Sequence, residues 1–327
     1  MPPVMKDEVI EDAFATAARV TGPNAIEHGS LELVTCNDKP QGRTVVLRAR
    51  LAETGAPVVV KRHFGPGASD VTTHEIRKSR QIARGLDGPL HRVPTIHQHI
   101  PAENAYIAEE LRGPTLQSRL LTKNVSREAL LDPIEQTGAM LARVHAITPE
   151  ERREPSLARF TSFAETFAAR AARRGADDPG HVLARRLIEL LPRCGHLTDG
   201  FGLTHGDANP RNVLLLEAGL GLIDFEQAGK RIFSYDLAAF LVRIGMICDP
   251  DGTRGPLPEP FVSRFERGYG AAVADDPVVR LRTKLALLQC RDWEMWDMPD
   301  EFPEKAQRRA RLDRMMRQAA DDVEVFG

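Results

Sequence analysis

Cysteine is scarce and scattered in this chain. Cys36, Cys194, Cys248 and Cys290 form no CxxC pair, which argues against a zinc site or a disulfide framework and fits a reducing cytoplasm. No run approaches 18 apolar residues, so no transmembrane helix is expected. Met1 to Glu8 leads into an amphipathic stretch rather than the apolar core of a signal peptide. Charge of one sign is also lacking: 44 basic and 46 acidic residues leave a net −2, with no general drive toward nucleic acid or an anionic membrane. Internal repeats and low-complexity tracts are absent. What is present is an ordinary globular composition, 42% hydrophobic and 28% charged, over 327 residues. That length exceeds one ordinary core and suits two lobes.

Lys6 to Val20 places Val9, Ile10, Ala13, Phe14 and Ala17 at helical spacing, and Gly22-Pro23 ends the pattern. Leu31 to Cys36, Thr44 to Leu51 and Pro57 to Phe64 read as three antiparallel strands. Asn37 to Gly42 and Ala52 to Gly55 read as their turns. A helix is expected from about Glu75 to Leu86, then strands over Pro94 to Ile100 and Ala105 to Glu109. Arg112-Gly113-Pro114 is a natural break. Beyond it the pattern turns helical, over Leu131–Ile147, Phe160–Arg174, His181–Leu191, Ser234–Ile247, Val278–Trp296 and Lys305–Ala320. Two short strand-like runs, Asn212–Leu216 and Gly221–Phe225, interrupt the helices.

The chemistry concentrates in His205-Gly-Asp-Ala-Asn-Pro-Arg-Asn-Val-Leu-Leu215 and in Leu222-Ile-Asp-Phe-Glu226, whose Asp224 lies twelve residues after Asn212. Phosphoryl transfer from a nucleotide needs a carboxylate to orient the attacking hydroxyl and ligands to hold magnesium against the phosphates. Asp207 and Asn212, five apart on a loop stiffened by Pro210, supply one of each. Asp224 ends an apolar strand, where a carboxylate is costly unless it meets a cation. A hard oxygen ligand there suits magnesium. The bland alternative is an Asx-type turn that merely leads into a strand.

The runs HGDANPRNVLL and LIDFE resemble the catalytic and metal loops of the aminoglycoside phosphotransferase and choline kinase family. Gly138 to Ala146 is similar to the helix preceding that loop, and Ser234-Tyr-Asp-Leu-Ala238 to the helix start after it. The resemblance implies an α+β, bilobal protein-kinase-like fold with an antiparallel-sheet N-lobe and a mainly helical C-lobe. It implies residues 1–112 as the nucleotide-binding lobe with hinge, and 113–327 as the catalytic and substrate lobe. It further implies transfer of the γ-phosphoryl group of ATP or GTP, with Mg2+, to a hydroxyl of a small molecule. By that likeness Asp207 is the catalytic base, Asn212 and Asp224 bind the metal, and Asp236 braces the catalytic loop. His205 reads as packed scaffold rather than proton carrier, because the aspartate already serves as base.

A kinase lysine on the third strand contacts the α- and β-phosphates. Lys61 and Arg62 are adjacent there on opposite faces, and strand period alone does not choose between them. The family pattern favours Lys61, with Glu75 as its helix partner. A competing reading makes Thr72-x-x-Glu75 a capping box. Cys36 to Arg43, where a glycine-rich loop would lie, holds only Gly42 and no GxGxxG. Tyr106 to Gly113 resembles the family's hinge, so adenine is expected against the backbone from Glu109 to Leu111.

For the acceptor, Asp292 to Glu304 gathers six carboxylates, among them Asp292, with both tryptophans, Trp293 and Trp296. Carboxylates beside aromatic faces suit a cationic ligand, and Glu226 is a further contact candidate. Equally, those acids can pair with the arginines at 308, 309, 311, 314 and 317. Rival acceptors are aminoglycosides, macrolides, choline or ethanolamine, homoserine and sugars. A reading of another class is a catalytically inactive nucleotide-binding module that regulates a partner. Its mark would be a missing catalytic or metal residue, and Lys61, Asp207, Asn212 and Asp224 are all present.

Overall fold

The computed structural model describes residues 6–39, 42–86, 88–122, 125–149, 151–248, 259–292 and 305–322. They form two compact units: one from the described residues of Met1–Gly113 with Leu216–Ala228, the other from those of Pro114–Leu215 with Gly229–Gly327.

The first unit opens with helix α1 (Lys6–Ala18), then β1 (Glu32–Lys39), β2 (Gly42–Arg50) and β3 (Pro57–Phe64), helix α2 (Ala68–Gly85), and β4 (His91–Arg92), β5 (Ile96–Ile100) and β6 (Ala105–Glu109). Five of the strands make one sheet in the order β1-β2-β3-β6-β5, antiparallel throughout. Alternation along the strands divides its residues between two faces. Val45, Leu47, Ala49, Val58, Val60 and Ile107 pack with Val9, Ala13 and Ala17 of α1. On the other face Tyr106 and Ala108 pack with Ile76 of α2 and with Val59.

Two local expectations need correction. Asn37, Asp38 and Lys39 extend β1 and pair with Thr44, Arg43 and Gly42, so the expected turn over Asn37 to Gly42 is largely strand. An Asp38–Arg43 ion pair supports that end. Helix α2 begins seven residues before Glu75, at Ala68, after Gly67 at φ 79°. Its buried residues Ala68, Thr72, Glu75, Ile76, Ser79 and Ile82 lie on one stripe, so packing decides the start against weak local propensity.

The second unit begins with α3 (Leu116–Leu121) and α4 (Glu128–His145), then β7 (Glu151–Arg153), α5 (Leu157–Ala171), α6 (Pro179–Leu190), β8 (Asp199–Thr204) and β9 (Val213–Leu215). The chain then returns to the first unit, where β10 (Leu220–Leu222) lies parallel to β4. Back in the second unit come β11 (Gly229–Ile232), α7 (Ser234–Ile247), α8 (Phe261–Tyr269), α9 (Pro277–Asp292) and α10 (Lys305–Asp321). β8 lies between β7 and β11, antiparallel to both. Helices α4 and α8 touch through glycines. A Cβ on Gly138 would stand 2.9 Å from the Tyr269 amide nitrogen, and one on Gly268 would stand 3.0 Å from that of Ala139. No described helix is long and apolar enough to cross a membrane.

Candidate active site

In the second unit β8 ends at Thr204 and delivers the loop His205-Gly206-Asp207. The loop is fastened from α7. The Asp236 carboxylate accepts the His205 amide at 2.7 Å and the Gly206 amide at 2.8 Å. It also meets His145 Nε2 at 3.3 Å. His145 is held in turn by the Tyr269 hydroxyl, 2.9 Å from Nδ1, and by the Phe233 ring stacked at 4.2 Å. Burial alone would raise the Asp236 carboxyl, but the hydrogen bond and charge of His145, with His205 and the Gly206 amide, hold it below its ordinary value. Gly206 takes φ 83°, a backbone region that penalises a side chain.

That turn presents Asp207. Its Oδ2 accepts Asn212 Nδ2 at 3.1 Å and Arg211 Nη2 at 3.0 Å, and its side chain stays about one-third exposed. Asn212 is buried, and its Nδ2 also donates to the Asp207 carbonyl at 3.0 Å. These bonds leave Asn212 Oδ1, the atom able to ligate a cation, without a hydrogen bond among the described residues. His205 is fully buried, and its Nδ1 accepts the Asp207 amide at 3.3 Å.

In the first unit Lys61 projects onto the α2 face of the sheet. Its Nζ meets Glu75 Oε1 at 2.7 Å, Glu226 Oε1 at 2.9 Å and Asp224 Oδ1 at 3.0 Å. Arg62 points to the α1 face and pairs with Asp12 at 2.7 Å and Glu103 at 3.1 Å. Thr72 lies inside α2 and donates to Ala68 O, and Glu75 is turned to Lys61, so no capping box forms. His63 Nε2 stands 3.0 Å from Glu75 Oε2, with Thr44 Oγ1 3.2 Å from its Nδ1. Burial would lower the Lys61 ammonium, but Glu75, Tyr106, Asp224 and Glu226 outweigh it and hold it well above its ordinary value. Burial likewise raises Glu75, yet Lys61 and His63 hold it below its ordinary range.

Asp224 has φ 68°, a left-handed conformation that Asp tolerates better than most residues but at a cost of about 1–3 kcal/mol. The return segment is tied down where His74 Nε2 meets Ala228 O at 2.7 Å. His63, Glu75 and Glu226 are close enough together to hold a metal ion. Lys61 already supplies a cation to both carboxylates of that group. A cavity of about 540 Å3 adjoins the cluster, lined in part by Thr44, His63, Gly67, Asp70 and Glu226.

At the expected hinge Glu109 pairs with Arg92, and its amide donates to Thr95 O at 2.8 Å. The Glu110 amide donates to Pro57 O at 3.1 Å. Leu111 is buried, and its backbone has no hydrogen bond among the described residues. Asp292, one of the acceptor candidates, pairs with Arg170. Trp293 and Trp296 lie outside the described residues. Sequence reading did not single out His63 or Tyr106 as members of the Lys61 cluster. The signal available was strand alternation, since Lys61 shares its face with His63 and pairs across to Tyr106.

The family model described as APH, phosphotransferase enzyme family, matches residues 45–282. The chain belongs to this family. It is therefore a small-molecule phosphotransferase with an alcohol group as acceptor. No curated protein matches it in sequence. Among solved structures it resembles a choline/ethanolamine kinase family protein from Mesorhizobium loti, at 15% identity and a TM-score of 0.59 over 99% of this chain and 100% of that one. It also resembles the amicoumacin kinase hAmiN in complex with AMP-PNP, Ca2+ and Ami, at 16% identity and TM-score 0.57 over 96% of each chain. A third likeness is the GDP and kanamycin complex of APH(2")-IIia, at 13% identity and TM-score 0.60 over 94% of this chain and 98% of that one. At such identities the likeness is one of fold. The α+β protein-kinase-like fold expected of this phosphotransferase, an antiparallel-sheet part and a helical part, is borne out.

Proposed function

We propose that this chain transfers the γ-phosphoryl group of ATP or GTP to a hydroxyl of a small molecule. One observation carries the reading: Asp207 is held partly exposed on a loop fixed by Asp236, with Asn212 bonded to its carboxylate. In that role Asp207 accepts the hydroxyl proton and orients the oxygen for in-line attack. Arg211 and Asn212 fix which way the carboxylate faces.

Asn212 Oδ1 and the Asp224 carboxylate are the oxygen donors that would hold Mg2+, and both fit a hard cation. The ion, when bound, neutralises charge developing on the transferred group. Lys61, aimed by Glu75, would hold the nucleotide phosphates, and the unused Leu111 backbone would receive the base. Nucleotide binding falls to residues 1–112, and catalysis and acceptor binding to residues 113–327. The use of nucleotide and four scattered cysteines with no CxxC pair fit a cytoplasmic enzyme.

Removing a general base typically costs roughly 10²–10⁴-fold in rate. D207N is therefore expected to lower ADP release by that factor while nucleotide affinity, measured by calorimetry, is kept. Near-normal turnover would overturn the assignment. Wild-type protein that binds nucleotide but releases no ADP with any acceptor would favour the inactive regulatory module. ADP release over a panel of aminoglycosides, choline, ethanolamine, homoserine and sugars separates the rival acceptors.

A further inference from the structure

Beside the catalytic loop the second unit holds two arginines on one tyrosine. Arg231 of β11 donates from Nη1 to the Gly206 carbonyl at 3.2 Å, one residue before Asp207. Its guanidinium carbon lies 4.7 Å from the centre of the Tyr235 ring, and that of Arg282 on α9 lies 4.7 Å from the same ring. Arg282 is also 5.3 Å from the centre of Phe160.

Arg282 is only 5% exposed. Among the described residues its guanidinium makes no hydrogen bond and no ion pair, and its buried Nε has no partner. The aromatic faces compensate part of that cost, but a buried guanidinium ordinarily has its N–H groups paired. Burial pushes Arg282 down to about 10, Tyr235 opposes that, Arg231 adds like-charge repulsion, and Asp199 opposes again from beyond ion-pair distance. Asp199 is already committed, accepting the Ser234 amide at 2.9 Å.

We propose that Arg282 and Arg231 form a binding site for an anionic group, carboxylate or phosphate ester, on the hydroxyl acceptor. The inference rests on the kinase reading and names its substrate class: a hydroxy acid or an alcohol phosphate in place of a cationic amine. A planar guanidinium with unused donors matches either group in a bidentate manner. An anion between two like charges also relieves their repulsion. The carboxylate expected at a cationic site, Asp292, is instead paired with Arg170.

The test is calorimetric titration of 4-hydroxybutyrate and of glycerol 3-phosphate, each with and without AMP-PNP and magnesium, beside choline and kanamycin. Wild-type protein is expected to bind one of the two anions, which tells carboxylate from phosphate. R282M is expected to weaken that binding at least about tenfold, the worth of a charge-assisted bond. R282K should keep part of it. The ligand-free melting midpoint of R282M should stay level or rise, since the variant removes an unpaired buried charge. Failure of both anions to bind, or equal affinity in wild type and R282M, overturns the proposal. So does a lowered midpoint with binding intact, which would make Arg282 a structural cation only. Failure of the kinase reading shows separately, as an absence of AMP-PNP binding, and the nucleotide-free titrations still report on the anion site.

Discussion

An ammonium group has three N–H donors, and Lys61 spends them among Glu75, Asp224 and Glu226. Glu75 is buried, and its second oxygen meets His63. E75Q should therefore lower stability at neutral pH by about 1–3 kcal/mol, the cost of leaving buried partners imperfectly paired. The folded-state pKa of Glu75 lies below its ordinary value of 4.5. Its contribution is thus complete above that value and is lost as pH falls through the depressed one. Melting midpoints of wild type and E75Q should differ at pH 7 and converge in acid. The residues of this cluster were partly legible. Lys61 and Glu75 are marked by the family pattern, whereas the physical reason against Arg62, which strand period does not supply, is that α1 covers one face of the sheet and α2 the other. Tyr106 joins through cross-strand pairing that a linear pattern does not display, whereas His63 joins by sharing the strand face of Lys61.

The element that fixes the catalytic loop is a helix pair. Tyr269, which ends α8, orients His145, which ends α4, and His145 orients Asp236. The pair approaches through Gly138 and Gly268, where a Cβ would strike the opposite backbone. G268A should cost about 1–3 kcal/mol by overpacking, seen as a lower melting midpoint. Because Tyr269 adjoins the substituted position, turnover should fall more than nucleotide affinity. Helix α4 was legible from its apolar period. Helix α8 was not: it is nine residues long, opens after Pro260 and closes on Gly270 in the left-handed region. Strand β8 hides for another reason, since Asp199-Gly-Phe-Gly carries two glycines and reads as a loop until β7 and β11 flank it.

Across the whole molecule, a sheet-rich first part and a helix-rich second part were legible from hydrophobic period. The return of Leu216–Ala228 to the first unit was not. It rests on strands of two and three residues, β4 and β10, too short to carry a pattern. A fragment ending at Gly113 would lack Asp224 and Glu226, leaving Lys61 with one of its three carboxylates, and would leave β4 without its partner. Such a fragment is expected to show no cooperative thermal transition and to elute as aggregate by size exclusion, while the full chain melts cooperatively.

That return segment also sets an order in time. Chains emerge from the ribosome at roughly 5–20 residues per second, N-terminus first. Ala228 follows Gly113 by 115 residues, so the first unit waits roughly 6–23 seconds for its last piece. Through that interval Lys61 and Glu75 are the only members of their charge cluster yet synthesised with His63 and Tyr106. The growing chain thus completes its lysine site only after Asp207 and Asn212 have left the ribosome, and no phosphate clamp is finished before the catalytic loop exists.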